Sequence, residues 1–324
     1  MKYFLTGATG FLGNVMARQL LAQGHEIHCM VRNPDKAREL ESLGAKIFNG
    51  DVTHKESMRA AMKGTDGVFH VAGWYKIGVR DRRSHGEKIN IHGTRHVLEL
   101  MQELGIRKGV YTSTLAINSH TRGQLVDENY RFTGKHLSEY DRTKAAAHDI
   151  AQEFIDKGLP LVVVMPGVIY GPGDTSQLGG AIINYLKRKL PMVPTHVMYA
   201  WGYVDDIAAG HLLAMEKGKV GETYHLNGEP YELIEVFRLA EKITGIPAPK
   251  AVSPKLMGAM SKLVGPFDRL MPASYTSESL RVMAGVTYIG DNSKAKGELG
   301  FNPRPLREGL EQTLRYEINR LGLK

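Results

Sequence analysis

A tyrosine and a lysine stand four residues apart at Tyr140 and Lys144. On a helix this spacing places both side chains on one face, and Ala147, Ala151 and Phe154 continue that face. A buried tyrosine beside an ammonium ion ionises more readily than the free phenol, whose pKa is about 10. The pair is therefore predicted to serve as a general acid and base near neutral pH.

A second pair with the same spacing, Tyr185 and Lys189, has a different context. Tyr140 lies between two strand-like segments, residues 109–113 and 161–165, whereas Tyr185 follows both of them. We therefore interpret Tyr185 as a residue of a helix in a separate lobe, without a part in the chemistry.

Three hydroxyl residues, Thr112, Ser113 and Thr114, end the strand-like segment that precedes Tyr140. Ligands of open parallel sheets bind outside the carboxyl ends of the strands. A hydroxyl at this place could hold the oxygen of a substrate carbonyl group, although hydroxyl residues also end strands without any catalytic role.

A glycine-rich turn lies near the start of the chain, between a predicted strand at residues 2–6 and a helical pattern. Its first glycine permits a tight turn, its second lets the backbone approach a pyrophosphate, and its third lets helix and strand pack closely. The N-terminus of the helix then offers free N–H groups to the phosphates. We predict a dinucleotide site formed by Thr6, Gly7, Gly10, Phe11, Leu12 and Gly13.

The end of the second predicted strand, residues 26–31, indicates which dinucleotide binds. An acidic residue there usually binds the ribose 2′-hydroxyl of NAD, and an arginine accepts the 2′-phosphate of NADP. Arg32 occupies this place, and Lys36 follows four residues later. The sequence predicts NADP as the cofactor, with NAD as the alternative if Arg32 is only a surface residue.

Two further strand ends should border the cofactor. Asp51 and Val52 follow the third predicted strand, where a side chain could meet the adenine amino group. Val71, Ala72 and Gly73 end the fourth, and their small size would let the backbone pass close to the nucleotide.

Short apolar segments alternate with helical patterns through the first half of the chain. They predict parallel strands at residues 2–6, 26–31, 46–49, 67–72, 109–113 and 161–165, with helices between them. The alternation is typical of α/β proteins with a Rossmann-type, doubly wound parallel sheet. Ser138 is the predicted N-cap of the helix that carries Tyr140 and continues to Gly158.

The pattern changes after residue 173. We predict a dinucleotide-binding domain at residues 1–173, to which residues 201–228 return with a strand at 223–226. A smaller, mostly helical C-terminal substrate lobe comprises residues 174–200 and 229–290, and a helical segment at 291–324 ends the chain. Within the lobe we expect a helix at 181–189, a proline-punctuated loop at 190–195, and packing by leucines and methionines around 256–270.

Composition argues against several classes of protein. Hydrophobic residues make up 42% and charged residues 23%, which is ordinary for a folded domain. Cys29 is the only cysteine, so no disulfide forms within the chain and a metal site is not expected. The net charge of +8 is scattered, without the interleaved aromatic residues of a nucleic-acid-binding surface. Neither a membrane span nor a signal peptide is apparent, so we expect a cytoplasmic protein.

Taken together, these residues resemble the short-chain dehydrogenase/reductase superfamily in its extended branch, the NAD-dependent epimerase/dehydratase superfamily. The resemblance covers nearly the whole chain. Its markers are residues 6–13, Asp51, residues 66–72, 90–94, the hydroxyls at 112–114, Tyr140 with Lys144, and residues 166–172 and 203–206.

The resemblance implies a role for each residue of the predicted site. Tyr140 would donate and accept the proton, while Lys144 would lower the pKa of Tyr140 and bind the nicotinamide ribose. Thr114 would polarise the substrate oxygen, with Ser113 as the alternative. Asn90 matches an asparagine that orders local structure in the family. Further cofactor contacts are expected from Asn90, Thr112, Ser113, Pro166, Gly167 and Val168, and substrate contacts from Trp74, Tyr75, Ile77 and Tyr170.

The turn that begins with Pro166 and Gly167 resembles dihydroflavonol reductases and 3β-hydroxysteroid dehydrogenases more than sugar-nucleotide epimerases, which usually have Arg-x-x-Asn there. An aromatic wall at Trp74 and Tyr75 would suit a flat or apolar carbonyl compound, unless these rings only pack on the lobe. The leading hypothesis is an NADP(H)-dependent oxidoreductase that interconverts a carbonyl and an alcohol.

Two other functions stay open at this point. The first is a sugar-nucleotide epimerase or dehydratase with tightly bound NAD, which would use the same residues. The second is a nucleotide-sensing protein that retains the fold without catalysis. The resemblance also implies a homodimer that associates through the helices containing residues 90–104 and 140–158.

Overall fold

The strands of the molecule fall into one large sheet and two small ones. The computed structural model describes residues 1–75, 82–268, 276–282 and 285–323. The strands are β1 (Lys2–Thr6), β2 (Glu26–Val31), β3 (Lys46–Asn49), β4 (Gly67–His70), β5 (Gly109–Thr112), β6 (Leu161–Pro166), β7 (Val168–Tyr170), β8 (Met192–Pro194), β9 (Met198–Tyr203), β10 (Thr223–Leu226), β11 (Pro230–Glu232), β12 (Lys250–Val252) and β13 (Thr287–Tyr288).

Helices connect these strands. They are α1 (Phe11–Ala22), α2 (Arg38–Ser42), α3 (Glu56–Met62), α4 (Arg82–Gly86), α5 (Gly93–Glu103), α6 (Glu139–Asp156), α7 (Gln177–Leu186), α8 (Val204–Lys217), α9 (Leu233–Thr244), α10 (Pro254–Val264), α11 (Ser277–Val282) and α12 (Leu306–Leu321). A π-helical turn, Glu87–His92, joins α4 to α5, and a 3-10 turn, Leu115–Asn118, follows β5.

The large sheet is parallel and has the order β10-β6-β5-β4-β1-β2-β3. The chain first adds β2 and β3 on one side of β1 and then crosses to add β4, β5 and β6 on the other. This reversal between β1 and β4 is the place where doubly wound sheets bind ligands. The predicted fold class, a Rossmann-type α/β protein, is confirmed.

Helices cover both faces of the sheet because successive strand residues point in opposite directions. In β1, Phe4 belongs to the apolar cluster that contains residues of α5 and α6, and Leu5 belongs to the cluster that contains residues of α1 and α8. Both side chains are fully buried. The strands can therefore be apolar throughout, as in the fully buried β6.

The small sheets lie beyond residue 167 and were only partly predicted. β9 pairs with β11, β13 and β7, while β8 pairs with β12. The expected loop at 190–195 is wrong, because Met192–Pro194 forms β8 beside β12. The prolines at its borders are compatible with this pairing, since Pro191 contributes its carbonyl oxygen, which accepts from the Lys250 N–H at 3.0 Å.

Two details of the lobe prediction also require correction. The helix expected at 181–189 spans Gln177–Leu186. Leu256 and Leu263 of α10 were expected to pack in the interior, but their side chains are 52% and 74% exposed. Helical spacing gives the face of a helix and does not show whether another element covers that face.

The longest helix described here, α6, has 18 residues and carries charged side chains along its length. Among the residues that the structure describes, none of the helices has the length and apolarity that crossing a membrane requires.

The close contact between β1 and α1 generates a prediction about stability. A Cβ atom on Gly13 would clash with the carbonyl oxygen of Gly7. We expect Gly13→Ala to lower the free energy of unfolding by about 1–3 kcal/mol, because the helix must move away from the strand. Urea denaturation followed by circular dichroism measures this change.

The matched control is Gly180→Ala in α7, where a Cβ atom would enter open space. That substitution should leave stability unchanged or raise it by up to about 1 kcal/mol, since alanine favours helices over glycine. Equal losses in both variants would contradict the proposed steric cause.

Candidate functional site

The N-terminus of α6 fixes the position of Tyr140. Ser138 has an extended backbone, and its hydroxyl accepts a hydrogen bond from the Asp141 N–H at 3.1 Å. The predicted N-cap is therefore confirmed. Tyr140 follows in the first turn of the helix, and Lys144 lies one turn later on the face that packs against the sheet.

The second tyrosine–lysine pair does not form an equivalent arrangement. α7 ends at Leu186, and Arg188 has a left-handed backbone with φ of 56°, so Lys189 lies beyond the helix. The Tyr185 hydroxyl donates to the Ile246 carbonyl at 2.6 Å, and its ring packs on Phe237. Tyr185 is therefore a packing residue, and its assignment to a separate lobe stays a prediction.

Thr114 is the hydroxyl residue that meets Tyr140. The two side chains lie close enough for the Thr114 hydroxyl to lower the pKa of the Tyr140 phenol. Thr114 Oγ1 also accepts from the Ala116 N–H at 3.2 Å, which caps the 3-10 turn after β5 and fixes the rotamer of the threonine. The turn thus holds the threonine hydroxyl against the phenol at the carboxyl edge of the sheet.

The other two hydroxyls of the cluster point elsewhere. Thr112 Oγ1 lies 3.0 Å from His211 Nε2 of α8, and Ser113 Oγ lies 2.9 Å from His148 Nδ1 of α6. Their side chains are engaged within the protein. The geometry brings Thr114 rather than Ser113 to the phenol, and the expected cofactor contacts of Thr112 and Ser113 stay a prediction.

Lys144 is buried, and two oxygen atoms of β5 accept its hydrogen bonds. Nζ donates to the Thr112 carbonyl at 2.7 Å and to the Tyr111 hydroxyl at 3.2 Å. It also lies 4.8 Å from the centre of the Tyr111 ring, within the range of cation–π attraction. Burial lowers the pKa of the Lys144 amine to about 7, because the interior disfavours the charged form.

The pKa of Tyr140 is shifted in the direction opposite to the one expected from the sequence. Burial raises the pKa of this phenol above its ordinary value, and the Thr114 hydroxyl offsets only part of the rise. The neighbouring Tyr75 and Asp141 raise it further. The expected stabilisation by Lys144 is absent because Nζ donates to Thr112 and Tyr111 instead. In the protein alone, the phenol therefore keeps its proton at neutral pH.

The glycine turn has the geometry of a phosphate cradle. Gly7 has a φ of 78°, and a Cβ atom on it would lie 2.9 Å from the Ala72 backbone nitrogen. α1 begins after Gly10, and no side chain caps its N-terminus. The N–H groups of its first turn, including those of Phe11 and Leu12, are thus available to an anion. These residues fit the pyrophosphate of a dinucleotide.

The side chain of Thr6 stabilises this turn through hydrogen bonds to the neighbouring strand segment. Its side chain is fully buried, and Oγ1 accepts from the backbone N–H groups of Val71 and Ala72 at 3.1 and 3.0 Å. These bonds tie the end of β1 to the segment after β4. Gly73 follows at the surface. These side-chain bonds are structural, and the contact of Thr6 with the cofactor stays a prediction.

The residues predicted for the adenosine side lie at strand ends near the surface. Arg32 follows β2 directly and is exposed, as is Lys36. Within the described part of the chain, Arg32 has no ion-pair partner. Asp51 Oδ1 accepts from the Thr53 N–H at 2.8 Å, and Val52 is buried beside the N-terminus of α5.

Asn90 links three segments beneath the site. Its Oδ1 accepts from the Trp74 N–H at 2.7 Å, and its Nδ2 donates to the Trp74 carbonyl and to Thr143 Oγ1 at 3.1 and 3.0 Å. Its side chain is buried in the π-helical turn. The expectation that Asn90 orders local structure agrees with these bonds, and a direct cofactor contact of its side chain does not.

The aromatic residues predicted to contact substrate separate into different environments. The Tyr75 ring is 48% exposed and meets the Tyr140 ring edge-on, with centroids 5.1 Å apart. Trp74 is buried beside Gly86. Tyr170 lies in the apolar cluster of the lobe, and its hydroxyl donates to the Leu306 carbonyl at 3.3 Å, so it does not join the others. Ile77 lies outside the described residues.

The segment after β6 passes from the large sheet to the small one. Pro166 ends β6, the Gly167 N–H donates to the Leu226 carbonyl at 3.3 Å, and Val168 begins β7. This segment therefore lies at the carboxyl edge, where the backbone is positioned by both neighbouring sheets.

Sequence reasoning missed a cluster beside Tyr140 in which Asp141 meets tyrosines from distant parts of the chain. Asp141 accepts hydrogen bonds from the Ser138 hydroxyl at 2.7 Å and from the Tyr288 hydroxyl of β13 at 3.0 Å. The Tyr288 ring stacks on Tyr199 of β9 at 5.9 Å. Burial raises the pKa of Asp141 to about 7. No local motif signals the two tyrosines, because their strands pair across long sequence separations.

No group of three or more histidine, cysteine, aspartate or glutamate side chains is arranged to hold a metal ion among the described residues. The chemistry of the site must be judged from its hydroxyl, phenol and amine groups.

Similarity to known proteins agrees with this geometry. Residues 3–227 match the model of a family described as the NAD dependent epimerase/dehydratase family. A putative dihydroflavonol 4-reductase from Synechocystis sp. is 31% identical over 98% of this chain and 94% of its own. Sterol demethylase protein B from Methylococcus capsulatus is 30% identical over 98% of both chains. The solved structure of gox2253 superposes with a TM-score of 0.85 at 29% identity, covering 99% of each chain.

The raised pKa of Asp141 predicts how the stability of the protein depends on pH. A carboxyl whose pKa is raised by folding stabilises the protein fully below its unfolded pKa of about 4 and loses that contribution as pH rises to 7. We expect the free energy of unfolding of Asp141→Asn, relative to that of the parent protein, to rise by on the order of 2 kcal/mol between pH 4 and pH 8. Urea denaturation at several pH values measures this difference.

Asp156→Asn at the exposed end of α6 is the control for this experiment. Its stability should follow that of the parent protein at every pH. A constant difference between Asp141→Asn and the parent protein across the range would refute the prediction.

Proposed function

The chain belongs to the NAD dependent epimerase/dehydratase family of the extended short-chain dehydrogenases/reductases, and on that premise we propose that it is an NADP(H)-dependent oxidoreductase that interconverts a carbonyl and an alcohol. The observation that carries the proposal is the juxtaposition of Thr114 and Tyr140 at the carboxyl edge of the sheet, with Lys144 one helical turn away. This edge also bears the glycine turn.

Each group of the site has one task in the proposed reaction. A bound nicotinamide dinucleotide supplies or accepts the hydride. Thr114 holds the substrate oxygen, and Tyr140 donates its proton to that oxygen during reduction. The raised pKa of Tyr140 favours this direction, because a phenol must hold its proton before it can donate it. Lys144 supplies positive charge near the developing phenolate.

The cofactor would be held at its pyrophosphate and at its 2′-phosphate. Gly7, Gly10 and Gly13 let the pyrophosphate approach the uncapped N-terminus of α1. Arg32, exposed and free of ion pairs in the described residues, would accept the 2′-phosphate of NADP, with Lys36 as a second cation.

We also propose that the substrate is a flat or apolar carbonyl compound bound against Tyr75. The half-exposed ring of Tyr75 touches Tyr140 and would form one wall of the pocket. Residues 174–200 and 229–290 would form the lobe that closes the substrate side. The names of the two relatives refer to a dihydroflavonol and to a sterol, which are compounds of this shape.

The first test of the function removes the phenol hydroxyl. Tyr140→Phe should lower kcat by at least about a hundredfold, because general acid catalysis contributes this much or more. Binding of NADPH, measured by fluorescence titration, should be unchanged. The assay is a panel of flat and apolar ketones and aldehydes with NADPH.

Tyr185→Phe is the matched control, since it removes a hydroxyl at the same spacing from a lysine but in the lobe interior. It should retain kcat close to that of the parent enzyme. Full activity of Tyr140→Phe would contradict the assignment of Tyr140 as the proton donor.

The second test concerns the choice of cofactor. Arg32→Ala should raise the Kd of NADPH about tenfold and leave the Kd of NADH unchanged, because only NADPH carries the 2′-phosphate. Arg38→Ala is the control: Arg38 is also exposed but pairs with Asp35 at 2.6 Å. Equal effects on both dinucleotides in Arg32→Ala would remove the basis for NADP.

A sugar-nucleotide epimerase or dehydratase is the second candidate, since the matched family includes both activities. It differs in retaining its cofactor through the reaction. Release of one equivalent of NAD from the purified, denatured protein would favour this candidate. Absence of activity across the panel, with reversible dinucleotide binding, would favour a nucleotide sensor.

We propose that the protein is a homodimer under each of these functions, and light scattering can measure its oligomeric state.

A further inference from the structure

A chain of buried polar groups runs through the interior from the glycine turn to Lys144. Thr6 Oγ1 lies 2.9 Å from His70 Nδ1, and His70 Nε2 lies 3.1 Å from Thr94 Oγ1. The Tyr111 ring stacks on His70, and its hydroxyl accepts from Lys144 Nζ at 3.2 Å. None of the five residues is more than 5% exposed.

The sheet register creates this chain. Thr6 of β1 pairs with His70 of β4, and His70 pairs with Tyr111 of β5. The His70 and Tyr111 rings stack with centroids 5.6 Å apart. Thr94 reaches the two rings from α5, and Lys144 reaches them from α6. Five elements of the fold thus contribute one polar group each.

Buried polar groups are costly unless every one finds a partner. Strands buried on both faces are ordinarily apolar, so His70 and Tyr111 are unusual residues for β4 and β5. Burial lowers the pKa of His70 to about 3, and the imidazole is therefore neutral at physiological pH. A neutral imidazole donates through one nitrogen and accepts through the other, which lets it continue the chain.

The directions of these hydrogen bonds follow from Thr6. Its oxygen already accepts from the Val71 and Ala72 N–H groups, so its proton goes to His70 Nδ1. His70 Nε2–H then donates to Thr94 Oγ1. At the other end, Lys144 Nζ donates to a lone pair of the Tyr111 oxygen.

The surroundings of Lys144 leave few other groups to fix its amine. The titratable groups that face it are His70 of β4, Tyr111 of β5, and Tyr140 and His148 of its own helix. Burial lowers the pKa of His148 to about 4, so neither histidine adds charge at neutral pH. Within the described part of the chain, no carboxylate pairs with the amine.

We propose that Tyr111 is a positioning residue for Lys144, whose amine donates to the Tyr111 hydroxyl oxygen. The ring of Tyr111 supports the same ammonium group from the side. The mechanistic value of this support rests on the proposed function, in which Lys144 acts beside Tyr140. The structural claim stands by itself, because the hydrogen bonds involve no ligand.

The test measures the titration of Lys144 directly. Protein labelled with 13C at the lysine Cε is titrated by NMR, and the Lys144 resonance is identified by its loss in Lys144→Met. In Tyr111→Phe the ring stays and the hydroxyl is lost, so the charged amine loses an acceptor. We expect the pKa of Lys144 to fall by about one unit, a tenfold change in proton affinity.

A control variant separates this effect from a general disturbance of the fold. Tyr224→Phe removes another buried strand hydroxyl, which bonds to Glu298 and to the Lys219 N–H away from the site, and should leave the titration of Lys144 unchanged.

Activity provides the second readout. With saturating NADPH, the alkaline limb of kcat/KM for reduction should move to lower pH in Tyr111→Phe. An unchanged Lys144 titration in a folded Tyr111→Phe would overturn the positioning role. A shifted titration without reductase activity in any variant would instead refute the proposed function and leave the positioning role intact.

Discussion

The burial of Lys144 is the constraint around which the site is arranged. An ammonium ion in the interior is costly, and burial brings the pKa of this amine down to about 7. Two oxygen acceptors and an aromatic face from β5 stabilise the charged form, so charged and neutral amine are close in free energy at neutral pH. Because the acceptors belong to β5 and the lysine to α6, the packing of this helix on the sheet determines the electrostatics of the site.

The parts of the fold that depend on local patterns were predictable from the sequence. Alternating apolar and helical segments indicate the parallel sheet, and the strands β1, β2, β3 and β10 have the predicted bounds. The placement of Tyr140 and Lys144 follows from the Ser138 N-cap and the helical period. The glycine turn follows likewise, since a steric requirement at Gly7 and Gly13 appears directly in the sequence.

The parts that depend on pairing between distant segments were not predictable. β9 has no strong strand pattern of its own and gains its partners from β7, β11 and β13, which span residues 168–288. The stacked pair Tyr199 and Tyr288 arises from that pairing. Tyr170 shows the converse error, because its motif suggested substrate contact while its ring packs in the lobe. A motif indicates the path of the backbone, whereas the packing of the fold determines which neighbours a side chain contacts.

The raised pKa of Tyr140 bears on where the proton lies at the start of the proposed reaction. A tyrosine whose pKa is lowered in the free enzyme would start as a base. Here burial raises the pKa, so the phenol holds its proton beside Thr114, which suits donation to a carbonyl oxygen. The phenolate formed by that donation would lie one helical turn from an amine whose pKa is about 7. In the proposed reduction the proton would therefore be in place at the start, and Lys144 would contribute most after the proton has moved.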